Sequence, residues 1–171
     1  ARAQSTANTR NAFTLPALHA SEMQSLQNVG ADKAFRVGVG RDLPASVSEP
    51  MDLSTWQWTA VSGGKAAHFT LTSSGALRVR AQVQLGQMPA GVELRFYAVL
   101  DPTKVFDVAA TANSAVWSPT LEGDSVGLEV FLPTGVAASQ VELAIPQLSH
   151  LVIDPANSTL KSSIFKEEYA S

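Results

Sequence analysis

The stretch ALRVRAQVQL, residues 76–85, alternates apolar and polar positions with little interruption. Leu77, Val79, Ala81, Val83 and Leu85 fall on one side, and Arg78, Arg80, Gln82 and Gln84 on the other. Successive side chains of a strand point to opposite faces, so such a segment buries one face and leaves the other wet. The pattern recurs. VELRFYAVL (92–100) places Val92, Leu94, Phe96, Ala98 and Leu100 inside, and SVGLEVFL (125–132) places Val126, Leu128, Val130 and Leu132 inside. VELAI (141–145) repeats it with Val141, Leu143 and Ile145, and shorter runs carry Phe35, Val37 and Val39, then Trp56, Trp58 and Ala60, then Ala67, Phe69 and Leu71.

Turn-forming residues separate these runs: SGG (62–64), SSG (73–75), MPAG (88–91), DPT (101–103), EGDS (122–125) and LPTG (132–135). Glycine supplies positive φ, proline presets φ, and Asp or Ser bonds the local backbone. About eight or nine strands with no long helix between them predict an all-β, antiparallel β-sandwich. The count leans to a jelly roll over an immunoglobulin-like Greek key. Residues 1–33 read as an amino-terminal arm with a short helix over SEMQSLQN (21–28), residues 34–153 as the sandwich, and residues 154–171 as a linker or short terminal helix.

At 171 residues the chain is one domain's worth. A net charge of −3 argues against a general nucleic-acid binder, which needs a basic surface. No apolar run reaches the ~20 residues that cross a bilayer. The chain has no cysteine, which removes disulfides, zinc thiolate sites and cysteine nucleophiles together. The first residues, ARAQSTANTR, have no apolar core and are not a signal peptide.

Gly123-Asp124-Ser125 has the look of the nucleophile segment of a trypsin-like protease. A serine nucleophile needs a base, usually His, and an acid behind it. The three histidines do not supply one: His19 lies in the arm, His68 on the polar face of its strand and His150 in a loop. Val126-Gly127 follows where such enzymes have Gly-Gly, so Ser125 is expected to enter a strand from a turn. Asp101, Asp107, Glu122, Asp124 and Glu129 offer oxygens for calcium, but no DxDxDG loop organises them, and turn-making is their expected role. Trp56 and Trp58 share a face; solvated, they would form a sugar-stacking platform, and buried, they fill a core, which is the favoured reading. Trp117 is expected in the core or as a lid on a sheet edge. VGVGRDLP (37–44) and SGGK (62–65) lack phosphate-loop spacing, and Asn157-Ser158-Thr159 matches a glycosylation acceptor. No cofactor and no small-molecule ligand are expected, and the residues alone indicate a non-enzymatic all-β domain.

The order FRVGVGRDLP, a W-x-W segment, GG, SSGALRVRAQVQLGQMPAGVELRFYAV, VWSPTLEGDSVGLEVFLP and VELAIPQLSHLV, over Phe35–Val152, resembles a known family. It is similar to the amino-terminal pro-region of secreted bacterial lysyl-endopeptidase-like serine proteases. In that family a sandwich-like segment precedes a trypsin-like catalytic domain. The resemblance implies a non-catalytic pro-domain that helps its cognate trypsin-like protease to fold, restrains it, or both. It implies export from a Gram-negative cell, to the periplasm or beyond, with the signal peptide removed. The resembled precursors continue into a cysteine-containing catalytic domain, whereas this sequence ends at EEYAS, so it is expected to be the pro-region alone. A lysine-specific protease would cleave after Lys161 or Lys166, which makes them candidate processing sites. The alternative function is a carbohydrate-binding or adhesive sandwich module resting on Trp56 and Trp58.

Overall fold

Two β-sheets face each other across a core of alternating residues in the computed structural model, which describes residues 11–18 and 38–152. The strands are β1 (Ala12–Leu15), β2 (Gly38–Asp42), β3 (Thr59–Val61), β4 (Gly64–Ser73), β5 (Arg78–Leu85) and β6 (Glu93–Ala98). They continue with β7 (Asp101–Val108), β8 (Ser114–Trp117), β9 (Leu121–Glu122), β10 (Ser125–Pro133) and β11 (Leu143–Leu151). The first sheet has the order β1-β4-β10-β6-β7, and β3 shares with β1 the outer edge of β4. The second has the order β2-β11-β5-β8, and β9 pairs with the start of β5. All pairings are antiparallel except β1 with β4. The fold is a β-sandwich, and Ala12–Leu15 of the segment expected as an arm contributes an edge strand to it.

The period-two pattern explains the core. Register brings Phe69, Leu128 and Phe96 into one row across β4, β10 and β6, with Ala67, Val130 and Leu94 in the next inward row. All six are buried, and Val79, Ala81, Val83 and Leu85 of β5 close the core from the other sheet. Each such side chain contributes roughly 1.5–3 kcal/mol on leaving water, alanine less. A short helix, α1 (Ala45–Ser48), packs against β11 and buries Val47. A 3-10 turn at Leu53–Thr55, capped by the Asp52 side chain accepting from the Ser54 backbone N–H, buries Leu53.

β11 carries the main irregularity. Ala144 faces Gln84 and Gln147 faces Gln82, so three steps on β11 match two on β5. The extra residue forms a bulge at Ile145-Pro146, where proline has no ladder hydrogen to give. A bulge shifts the alternation by one. Leu143 and Ile145 point inward before it, and Leu148 and His150 point inward after it.

Several expectations change here. His150 is not in a loop but lies in β11 and is buried, because the bulge reverses the parity that the sequence suggests. Leu77 is not inward: it sits in the bend before β5 and is 50% exposed. Leu100 is not inward either: it lies in the two-residue turn joining Ala98 to Asp101 and is 74% exposed. Trp56 and Trp58 do not form a strand, because the 3-10 turn ends at Thr55 and β3 begins only at Thr59. The DPT segment is not a simple turn: Pro102–Lys104 bulge out of β7 between the pairs Ala98–Asp101 and Tyr97–Val105. Phe35, Val37, the helix over 21–28 and the linker 154–171 lie outside the described residues.

Candidate functional site

Ser125 opens β10, immediately after the Gly123-Asp124 turn. Gly123 has φ of +93°, a conformation that side chains with a Cβ disfavour. The Ser125 hydroxyl lies 2.6 Å from Thr72 Oγ1 and 2.9 Å from Asp124 Oδ1. Asp124 is its neighbour in the turn and Thr72 its register partner across on β4, and neither is the histidine base a serine nucleophile needs.

A serine and a histidine do meet elsewhere. Ser73 Oγ on β4 lies 2.6 Å from His150 Nδ1 on β11, so the pair bridges the two sheets. Arg41 on β2 donates from Nη1 to Ser73 Oγ at 2.9 Å and to the Pro16 carbonyl at 2.7 Å. Arg41 and His150 thus both engage the one Ser73 hydroxyl, which has one proton to give and two lone pairs to accept with. Burial pushes the His150 pKa down, and the Arg41 charge adds to the shift. A catalytic histidine must become an imidazolium, normally with a carboxylate behind it. Here a cation stands nearby instead, and Ser73 and His150 are 0% and 1% exposed. The trio is a clamp between sheets.

The outer face of the first sheet holds a second polar row. Register places His68 (β4), Glu129 (β10), Arg95 (β6) and Asp107 (β7) side by side. Glu129 is buried although its strand position is on the side away from the core. Its Oε1 accepts from Arg95 Nη1 at 2.9 Å, and its Oε2 lies 3.1 Å from His68 Nε2. Arg95 also donates to Asp107 and Glu93. Burial opposes the Arg95 charge, but hydrogen bonds to Glu129 and Asp107 outweigh it and raise its pKa. In the neighbouring row Tyr97 stands beside Gly127, with the His68 ring edge-on to it. Burial pushes the Tyr97 pKa up to about 12; the Glu129 charge adds to this, and a hydrogen bond with Thr70 opposes it. The row ties four strands together through charge-assisted bonds.

The carboxylates considered for calcium are dispersed. Asp101 accepts from Thr103, Glu122 from Arg78, Asp124 from Ser125, and Asp107 and Glu129 from Arg95. No cluster of three or more potential metal ligands occurs among the described residues. Trp56 is buried with its ring 5.4 Å from Phe69, and Trp58 is half-buried, donating to the Leu53 carbonyl with Lys65 over its ring. Trp117 lies on the edge strand β8, 37% exposed, with the Arg80 guanidinium 4.7 Å from its ring. Lys161, Lys166, Asn157 and His19 lie outside the described residues. The grouping of Ser73, Arg41 and His150 has no sequence signal because three distant strands bring them together. The sequence singles out Glu129 only as an oxygen for calcium, and its pairing with Arg95 has no sequence signal because both positions alternate as wet ones.

Comparison with known proteins adds the following. Residues 14–152 match the family model described as the lysyl endopeptidase N-terminal domain. A curated relative, the lysyl endopeptidase of Pseudomonas aeruginosa (strain PAO1), is 31% identical over 124 residues. That match covers 68% of this chain and only 26% of the relative. Among solved structures, a salicylyl-acyltransferase, SsfX3, from a tetracycline biosynthetic pathway aligns with a TM-score of 0.33 and 13% identity. It covers 68% of this chain and 40% of that one, a likeness too remote to bear on fold or function.

Proposed function

Because the chain belongs to the lysyl endopeptidase N-terminal domain family, we propose that it acts as a pro-domain, helping a cognate endopeptidase to fold and holding it inactive. It corresponds to the non-catalytic N-terminal region of that family. The observation that carries the reading is the placement of the match: residues 14–152 fit an N-terminal domain, and the chain spans 26% of a relative whose name is that of an endopeptidase. The remaining length of such a protein has room for the domain that hydrolyses peptides. Export to the periplasm or medium of a Gram-negative cell, a trypsin-like partner, a sandwich body over 34–153 completed by the edge strand Ala12–Leu15, and a processing linker over 154–171 belong to the same reading. Lys161 and Lys166 are then the positions at which a lysine-specific enzyme would release the linker.

A sandwich held by the Ser73–His150 bridge and the His68–Glu129–Arg95–Asp107 row is a stiff surface on which a partner can assemble. Contacts that form in the partner's folding transition state lower its barrier. Contacts that persist in the folded complex hold the enzyme. The test adds the 171-residue chain, in stoichiometric amount, to its denatured endopeptidase during refolding and to the folded enzyme with a lysyl substrate. A higher refolding yield together with slower hydrolysis is the expected result. Unchanged yield and unchanged rate would end the proposal.

A further inference from the structure

At one end of the sandwich the turn at Gly123 is flanked by two leucines that the core does not use. The Gly123 backbone N–H donates to the Leu77 carbonyl at 2.8 Å, and a Cβ on Gly123 would come within 2.7 Å of Leu100 Cδ1. Leu77 is 50% exposed and Leu100 74%. Leu100 also lines a cleft of about 150 Å³ with Phe106, which is itself 39% exposed. The Arg78–Glu122 ion pair, Asp101 and Lys104 border the same cleft. The result is an apolar centre with a rim of mixed charge, the anatomy of a protein-binding patch. Leu100 is the telling residue. A two-residue hairpin turn ordinarily carries Gly, Asn or Asp, so a leucine there exposes apolar area that local structure does not require.

The chain leaves its last strand beside this patch. The Leu77 backbone N–H donates to the Leu151 carbonyl at 2.9 Å, and Leu151 is the final residue of β11. In a family described by its N-terminal domain, whatever follows that domain is tethered at this end. The sequence runs on for 20 residues past Leu151, and such a tether raises the effective concentration of an attached partner around the end from which it leaves. We infer that the Leu77–Leu100–Phe106 end is where the endopeptidase domain docks. The inference rests on the pro-domain reading and adds the surface to it.

The experiment compares the full chain with Leu77→Asp/Leu100→Asp, and with Ser139→Asp as a control on the exposed turn beyond the far end of β10. Affinity for the separately produced, catalytically inactivated endopeptidase domain is measured by titration, together with thermal midpoint and solution mass. Because both leucines are exposed, the double variant is expected to keep the wild-type midpoint. It is expected to bind at least tenfold more weakly, while Ser139→Asp binds as wild type does. Should the double variant lose its midpoint, single Leu100→Asp, at the more exposed site, takes its place with the same expectation. Wild type binding and both leucine variants binding equally well would overturn the docking surface and leave the pro-domain reading standing. No binding by wild type would overturn both. A wild-type dimer that the variants dissociate would assign the patch to a second copy and overturn the inference.

Discussion

The ring of Tyr97 fills the space in which any side chain at its register partner Gly127 would stand. A Cβ built on Gly127 would lie within 2.5 Å of Cζ and of the two Cε atoms of that ring, and Tyr97 is 1% exposed. Gly127→Ala must therefore displace a buried aromatic group that covers the Glu129 row. We expect a loss of about 1–3 kcal/mol in denaturant unfolding. The cost should shrink in a Tyr97→Ala background, where the obstructing ring is gone. Equal costs in both backgrounds would mean that the ring moves aside freely.

Arg95 compensates a carboxylate that is 2% exposed. Arg95→Met removes the closest charge from Glu129 and should cost about 3 kcal/mol, the lower part of the range for breaking a buried pair, since His68 stays. Adding Glu129→Gln to Arg95→Met should restore part of the loss, because no buried charge is then left over. If the double variant is less stable than the single, repulsion and desolvation at Glu129 are not what Arg95 relieves.

His150 gives the fold a dependence on pH. Its pKa in the folded state lies below the ordinary histidine value of 6.5, so the folded chain holds fewer protons there than the unfolded chain. Stability from this group is full above about 6.5 and declines as pH falls through the lowered folded value. His150→Gln keeps a hydrogen-bonding partner for Ser73, able to donate or accept, and has no titration. Denaturation midpoints between pH 7.5 and 5 should fall less steeply for the variant than for the wild type. Parallel curves would show that the bridge does not sense protons.

Tyr97 gives the opposite sign at high pH. Its folded pKa of about 12 exceeds the ordinary tyrosine value of 10.0, so the folded chain keeps a proton that the unfolded chain has lost. Stability from this group falls as pH rises from 10 toward 12. Tyrosinate absorbance should show a late phase that Tyr97→Phe abolishes. A titration of the wild type complete near pH 10 would refute the burial of its hydroxyl.

Most of the sandwich was legible because its strands alternate and its turns contain the residues that turns require. The Gly123-Asp124 turn into β10 is one such case. What failed did so for nameable reasons. The bulge at Ile145-Pro146 moved His150 from an assumed loop to the core, and a single shift of parity has no composition signal. Leu77 and Leu100 kept the right parity but fell just outside their strands, where parity ceases to mean burial. Glu129 sits at an outward position yet is covered by its neighbours, and cover on that side comes from tertiary packing. The Ser73–His150 contact joins residues 77 apart and has no local signature at all.

The strand order also sets a timetable for biosynthesis. β11, the last of the described strands, is not at an edge but lies between β2 and β5. Until residue 151 has emerged, β2 has no partner and the second sheet cannot be completed. Such long-range pairing is slow to close. The second sheet therefore closes only after synthesis has passed residue 151, so any polypeptide that follows would emerge while that sheet is still assembling.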